Sequence, residues 1–149
     1  MHGRMPVSFG NEPAMERLEL PSHLRGVFFH WLWETTRVWS LPTPTSQLPM
    51  HALTWHLDLT VWTTVRGEPR FDLAPATVLA DPVGHARHWG KIQEADLSYP
   101  LELFRNGERW VILDGYHRLA RHALQGTDHV PVRLHPDEYR HLIRPEGGR

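Results

Sequence analysis

Three residues that can do chemistry, Asp114, His117 and Arg118, stand close together in the last third of the sequence. An arginine offers a planar, permanently charged group that suits phosphate oxygens. A histidine donates a hydrogen bond or moves a proton near neutral pH. An aspartate holds a metal ion, orients a histidine or acts as a base. The combination is typical of an anion site, and most of all of a phosphate site.

These residues lie where a strand is predicted to give way to a helix. An apolar run ends at Asp114-Gly115, and a helical face follows that consists of Leu119, Ala120, Ala123 and Leu124. Gly126 suits the end of that helix. The first turn of a helix has unpaired N–H groups and the positive end of the dipole. Gly115 has no Cβ, so a ligand could approach the backbone closely there.

The same residues also have an interpretation without a ligand. Aspartate is a common N-cap, so Asp114 could cap the helix while His117 and Arg118 face water. Short motifs often occur by chance. Without further context, the structural interpretation is therefore favoured over the functional one.

The elements around the motif predict an α+β fold. An apolar strand is expected within residues 71–80, and Asp81-Pro82 is typical of a helix start. Trp89, Ile92 and Ala95 mark one face of that helix. A hairpin is predicted around Asn106-Gly107, and residues 129–134 form a closing strand.

The first half of the chain gives weaker signals. Residues 23–39 predict a helix whose apolar face holds Leu24, Val27, Phe28, Trp31, Leu32 and Thr35. Residues 40–49 read as a connector because they contain three prolines. Residues 50–64 fit a short helix or a strand equally well. A turn at 65–70 suggests a boundary, which gives a Trp-rich N-terminal extension (1–66) and a core domain (67–149).

Composition excludes several classes of function. The 149 residues contain no cysteine, which excludes disulfides, thiolate metal sites and thiol chemistry. The formal net charge of -1 argues against strong nonspecific binding to nucleic acid. No apolar run is long enough for a membrane span, and no signal peptide is evident. A cytoplasmic protein without a membrane partner is therefore expected.

Residues 71–139 resemble the ParB/sulfiredoxin-like superfamily, a small mixed sheet with packed helices. The resemblance rests on a helix followed by Tyr99-Pro100-Leu101, then on a hairpin that leads into the box Asp114-Gly115-Tyr116-His117-Arg118. A helix that ends at Gly126 and the strand segment Val130-Pro131-Val132 complete the order. The box in this order is fairly specific to the fold and much less specific to a reaction.

The resemblance implies that the box binds nucleotide phosphates. Gly115, Tyr116, His117 and Arg118 would contact the phosphates, and Lys91 of the preceding helix would reach them as well. The implied cofactors are ATP or another nucleoside triphosphate with Mg²⁺. No metal site formed by the protein alone is predicted.

The free serine kinase branch of the superfamily is the most similar at the box. Such kinases also use an upstream carboxylate as a base toward a substrate hydroxyl. The candidates here are Asp81, Glu94 and Asp96, and Asp114 and His117 join them as catalytic candidates. The resulting hypothesis is an ATP-dependent phosphotransferase that acts on a small hydroxylated molecule. The alternative is a nucleotide-binding regulatory or pathway-accessory module without chemistry.

Other branches of the superfamily fit less well. Sulfiredoxins need a cysteine in the box, where this chain has Tyr116. Partition proteins carry an arginine-rich box at this location, whereas Gly107-Glu108-Arg109 lies in the predicted hairpin turn. Only 23 residues follow Gly126, too few for an added DNA-reading domain. DNA binding is therefore not expected, and nuclease activity has no independent support.

Histidines and tryptophans outside the box are assigned mainly to structure. His85 and His88 have metal-ligand spacing, but solvent-facing side chains are the favoured interpretation because no third ligand is near. His56 and Asp58 predict a structural hydrogen bond. The tryptophans are assigned to packing, and stacking of Trp55 or Trp62 on a base is the less favoured alternative.

Overall fold

The computed structural model describes residues 22–29, 33–64 and 71–145. Within these ranges the chain forms a four-stranded mixed sheet with packed helices, which confirms the predicted α+β class. The strands are β1 (Thr45–Pro49), β2 (Leu101–Asn106), β3 (Arg109–Asp114) and β4 (His129–His135). The α-helices are α1 (Ser22–Arg25), α2 (Thr35–Trp39), α3 (Pro75–Ala80), α4 (Ala86–Glu94) and α5 (Tyr116–Gln125). Short 3₁₀ helices span Met50–Ala52, Thr54–Asp58, Val83–His85 and Asp137–Ile143.

The strand order is β1-β4-β2-β3, which places β4 and β2 inside the sheet. β4 pairs antiparallel with β1 and parallel with β2, and β2 and β3 form an antiparallel hairpin. Parallel neighbours need a crossover connection, which here runs through β3 and α5. The start of α5 is therefore fixed at the end of β3, where the box lies.

The two faces of the sheet are covered by different parts of the chain. Successive side chains on a strand point to opposite faces. Leu101 of β2 lies against the start of α5, whereas Phe104 packs edge-on against Phe29 with ring centroids 5.9 Å apart. Phe29 of the N-terminal extension thus packs on the face away from α5. Other parts of the extension, the 3₁₀ helix at Thr54–Asp58 and Trp62, lie against α5, and β1 belongs to the same sheet as the core strands.

Several second-half predictions are confirmed. The hairpin, the helix within residues 86–94, the helix after the box and the closing strand all form. Gly107 has a φ of +68° in the hairpin turn, and Gly126 ends α5 with a φ of +72°. Leu124 was assigned to the apolar face of α5, which is wrong: it is 52% exposed.

The strand predicted within residues 71–80 is wrong. Residues 75–80 form α3, whose first turn begins at Pro75. Proline suits this position because its missing N–H would have no partner there. Pro75 and Val78 are buried three residues apart on one helix face. Only Leu73 keeps a strand-like contact, an isolated bridge to Trp62.

The single helix predicted over residues 23–39 is also wrong. α1 ends at Arg25, and α2 begins only at Thr35. Phe28 and Phe29 are both buried although they are neighbours in sequence. One face of a helix cannot bury two adjacent residues fully, because each residue turns by about 100°. Packing of both rings thus opposes a continuous helix.

The predicted connector at residues 40–49 contains β1, so that prediction is wrong for its second half. Thr45, Ser46 and Gln47 are exposed, and Pro49 ends the strand. Proline is tolerated in such an edge strand. Residues 50–64, left open between helix and strand, are mainly 3₁₀ helical up to Asp58 and irregular afterwards, apart from the bridge at Trp62. The predicted turn at 65–70 and residues 1–20 lie outside the described residues.

Candidate functional site

The box begins at an irregularity in the hairpin. Glu102 pairs with Asp114 and Leu103 pairs with Ile112, so β3 has one additional residue, Leu113, at this point. Bulges of this kind re-aim side chains and are common beside active sites. The carbonyl of Leu113 accepts a hydrogen bond of 3.3 Å from the Trp33 indole. The bulge therefore sets the direction in which Asp114 leaves the strand.

Asp114 is held by two donors on one oxygen. Its Oδ2 accepts a hydrogen bond of 2.8 Å from the Trp39 indole and forms a 2.9 Å ion pair with Nη2 of Arg118. Oδ1 has no hydrogen-bond partner among the described residues. The side chain is 8% exposed. One carboxylate oxygen is thus anchored, and the other is left without a protein donor.

The interpretation of Asp114 as a helix cap is wrong. The N-cap residue of α5 is Gly115, and no side chain caps the helix. The first backbone hydrogen bond of α5 runs from the Leu119 amide to the Gly115 carbonyl, 2.8 Å away. In the described part of the chain, the amides of Tyr116, His117 and Arg118 have no such partner. The amino end of α5 therefore keeps three free donors and the positive end of the dipole.

Gly115 has a structural role that was not predicted. Its φ of +118° disfavours any other residue. A Cβ there would lie 2.6 Å from Cδ2 of Leu101 and 3.0 Å from Nη2 of Arg118. The missing side chain thus makes room for the Arg118 guanidinium and for the Leu101 side chain.

Arg118 crosses the start of its own helix. Its Nη2 donates to Asp114 and to the Pro100 carbonyl, 3.2 Å away. Nε is buried without a hydrogen-bond partner. The hydrogen bonds of Arg118 to described residues all come from Nη2, so Nη1 has none among them. Two of the three guanidinium nitrogens therefore keep unused donors beside the uncapped end of α5. These orphaned donors fit an anion such as a phosphate.

Tyr116 does not present its ring to a ligand. The side chain is buried, and its hydroxyl donates a 3.0 Å hydrogen bond to the Ile112 carbonyl. Burial raises the pKa of the phenol well above its usual value. With its side chain engaged in this way, Tyr116 can contact a bound group through its backbone N–H.

His117 is bonded to a residue that was not assigned to the box. Its Nε2 lies 3.0 Å from Nδ1 of His88, and Nε2 of His88 lies 3.2 Å from the Thr63 carbonyl. The Trp62 ring stacks on both imidazoles, with centroid distances of 4.2 Å to His117 and 4.5 Å to His88. The assignment of His88 to solvent is therefore wrong, because it is a buried partner of His117.

Both imidazoles are neutral near pH 7. Burial, opposed by the hydrogen bond to Thr63 and helped by Arg87 and Lys91, lowers the pKa of His88 to about 4. Burial and then the neighbouring His88 and Lys91 hold the pKa of His117 well below its usual value. Lys91 therefore acts electrostatically on the box from α4, and its Nζ is buried.

Two of the three upstream carboxylates, Asp81 and Asp96, form hydrogen bonds within local turns. Oδ1 of Asp81 accepts a 3.1 Å hydrogen bond from the Gly84 amide. The helix start predicted at Asp81-Pro82 is wrong, because Pro82 is the N-cap of the 3₁₀ helix Val83–His85 and α4 begins at Ala86. Asp96 accepts the amide and hydroxyl of Ser98, and these hydrogen bonds, followed by the charge of Arg118, lower its pKa. Glu94 is exposed at the end of α4. Of the three, Asp96 is within electrostatic reach of Arg118.

A buried polar network behind Asp114 was not predicted. Glu102 pairs with Nε of Arg133 at 3.0 Å and with Nε2 of His135 at 2.7 Å. Burial alone would raise the pKa of Glu102, but the His135 hydrogen bond and the Arg133 charge lower it. Arg133 also donates to the carbonyls of Val38 and Trp39. The segment that carries Trp39 is thus tied to the sheet, which fixes the indole against Asp114.

The predicted His56–Asp58 hydrogen bond does not form. Nε2 of His56 accepts the Ile112 amide, 3.0 Å away, and Nδ1 donates to the Leu53 carbonyl. Asp58 is exposed. His56 therefore has a structural role at the edge of β3.

The arrangement combines an uncapped helix end, a cation with unused donors and an anchored carboxylate. Across residues 22–29, 33–64 and 71–145 there is no group of three or more His, Asp or Glu that could hold a metal ion. No helix within those ranges is long and apolar enough to cross a membrane. Comparisons of the chain with models of protein families, with curated proteins and with solved structures found no match.

Proposed function

We propose that the chain is a ParB/sulfiredoxin-like protein that binds nucleotide phosphates at the amino end of α5. The observation that carries this proposal is the absence of a cap at that end, together with the unused donors of Arg118. A helix end that no side chain caps is commonly satisfied by water or a ligand. The order of α4, hairpin, box, α5 and parallel β4 supports the fold assignment.

The proposed activity is transfer of a phosphoryl group from ATP to a small hydroxylated molecule. Arg118 and the first amides of α5 would hold the phosphates, and Lys91 would add positive charge from α4. Mg²⁺, when bound with the nucleotide, offsets the phosphate charge. Asp114 is the candidate for orienting the substrate hydroxyl because its Oδ1 has no donor among the described residues. A cytoplasmic location, where ATP is abundant, fits this activity.

A nucleotide-binding module without chemistry is the second candidate. It is favoured by the local hydrogen bonds of Asp81 and Asp96, which engage two of the three upstream carboxylates in turns. In that case Asp114 serves only to position Arg118. Both candidates share the phosphate site and differ in turnover.

Binding is tested by titrating Mg·ATP and inorganic triphosphate into the wild type, Arg118→Gln and Arg121→Gln. Arg121 is the matched control, since it lies on the same helix and donates to the carbonyls of Gln93 and Ala95. Loss of a charged hydrogen bond to phosphate should weaken binding by Arg118→Gln roughly tenfold or more. Arg121→Gln should stay within about twofold of the wild type. Equal binding by both variants would contradict the proposed site.

Turnover is tested by incubation with ATP, Mg²⁺ and small alcohols such as serine. Formation of ADP that depends on the alcohol and is lost in Asp114→Asn supports the phosphotransferase. Saturable binding without turnover supports the module. If neither nucleotide nor triphosphate binds, both candidates are wrong.

A further inference from the structure

The hydrogen bonds around His117 determine which of its ring nitrogens carries the proton. A carbonyl oxygen only accepts, so Nε2 of His88 must carry the hydrogen that points at Thr63. A neutral His88 then has a bare Nδ1, which accepts from Nε2 of His117. A neutral His117 in turn has a bare Nδ1. The chain of bonds thus runs in one direction and ends on an unprotonated nitrogen.

This nitrogen has no other partner among the described residues. His117 is only partly buried, and it lies in the first turn of α5 next to Arg118. The charged or titratable groups that act on the histidine pair are Arg87, Lys91 and His85 on the α4 side and Arg118 of α5. All of them oppose a positive charge on the pair, so the neutral state with its bare Nδ1 is maintained.

A bare nitrogen cannot donate to a phosphate oxygen. It selects a group that carries a hydrogen, such as a hydroxyl. If phosphates are held by the first turn of α5, the hydroxyls tethered to them are those of the nucleotide's ribose. The local effective concentration of such tethered groups is high.

We propose that Nδ1 of His117 accepts a hydrogen bond from a ribose hydroxyl of the bound nucleotide, and that His88 is the residue that positions it. The proposal rests on the proposed function. It changes the expected role of His117 from a phosphate ligand to a residue that recognises the ribose. Trp62 holds the plane of both imidazoles because its ring stacks on each within 13° of parallel. Thr63, the next residue, supplies the carbonyl that begins the chain of bonds.

Two variants test the roles of the two ring nitrogens of His117 independently. In His117→Asn the amide oxygen can replace Nδ1 as an acceptor, whereas in His117→Gln the longer amide can replace Nε2 as the donor to His88. Titrations of both with Mg·ATP and Mg·triphosphate compare sugar and phosphate recognition. Thermal unfolding of each variant shows that it is folded before binding is compared.

The expected result is equal affinity for triphosphate in all three proteins. Loss of one hydrogen bond should weaken ATP binding by His117→Gln roughly three- to tenfold. His117→Asn should be weakened less than His117→Gln, because it keeps the acceptor and loses only the bond to His88. Either 2′-deoxy-ATP or 3′-deoxy-ATP should bind the wild type more weakly by the same factor and be insensitive to His117→Gln. A loss of triphosphate affinity in His117→Gln, or an ATP effect that persists with both deoxynucleotides, would overturn the proposal.

The protonation pattern is tested without any ligand. Nitrogen-15 NMR of the histidine rings at pH 7.5 should show hydrogen on Nε2 of both His88 and His117 and none on their Nδ1 atoms. A hydrogen on Nδ1 of His117 would overturn the proposal while leaving the phosphate site intact. Failure of triphosphate to bind would instead remove the proposed function, so the two failures are distinguishable.

Discussion

At the residue scale, Gly115 controls the geometry of the box. Replacement by alanine forces an L-residue into a φ of +118° and places a Cβ 2.6 Å from Leu101. Left-handed strain and overpacking together should lower the free energy of unfolding by roughly 2 to 4 kcal/mol. Chemical denaturation of Gly115→Ala measures this loss.

Gly126→Ala is the matched control for that substitution. Gly126 has a φ of +72°, but nothing lies within 4 Å of the position where its Cβ would be. Its loss of stability should therefore contain only the conformational part, about 1 to 2 kcal/mol. Equal losses in the two variants would show that Leu101 and Arg118 do not crowd Gly115.

At the element scale, the sequence predicted the parts of the fold that depend on local signals. The hairpin turn follows from Gly107, and the end of α5 follows from Gly126, because each residue favours the required φ. β1 and α3 were missed for different reasons. β1 is an exposed edge strand with almost no apolar pattern, and its partner residues in β4 lie 80 or more positions away in sequence. In α3, the run from Leu73 to Leu79 is apolar enough for either structure.

The free edge of β3 depends on the 3₁₀ helix at Thr54–Asp58. His56 accepts the Ile112 amide at this edge and is fully buried. His56→Leu puts an apolar side chain of similar size in the same place, but it leaves the buried Ile112 amide without a hydrogen-bond partner. The free energy of unfolding should fall by about 1 to 3 kcal/mol. Hydrogen exchange at the Ile112 amide should become faster.

His51→Leu is the control for this prediction. His51 is exposed on the preceding 3₁₀ helix, so its replacement should change stability by no more than about 0.5 kcal/mol. Protection of the Ile112 amide should be unaffected. Unchanged exchange at Ile112 in His56→Leu would mean that His56 does not hold this edge.

At the scale of the whole molecule, the candidate site draws on both halves of the chain. The box motif was found from sequence because Asp114 to Arg118 are contiguous. The residues that hold the box in place were not found from sequence. Trp39 binds Asp114 from 75 residues away, and His88 binds His117 from 29 residues away. Such pairs need folding to bring them together, and nothing in the local pattern of a tryptophan or a histidine names its partner. The N-terminal extension therefore contributes Trp39 to the candidate site.

The burial of His56 and His88 makes the stability of the whole fold sensitive to acid. The pKa values of His56 and His88 are lowered to about 4, so the folded chain binds fewer protons than the unfolded chain below pH 6.5. Stability is therefore present above pH 6.5 and is lost as the pH falls toward 4. Between pH 7 and 5 each of the two histidines should lower the free energy of unfolding by about 2 kcal/mol. Denaturation at several pH values measures the slope, which should be shallower in His56→Leu and unchanged in His51→Leu. A flat profile over this range would show that the pKa values of His56 and His88 are not lowered in the folded protein.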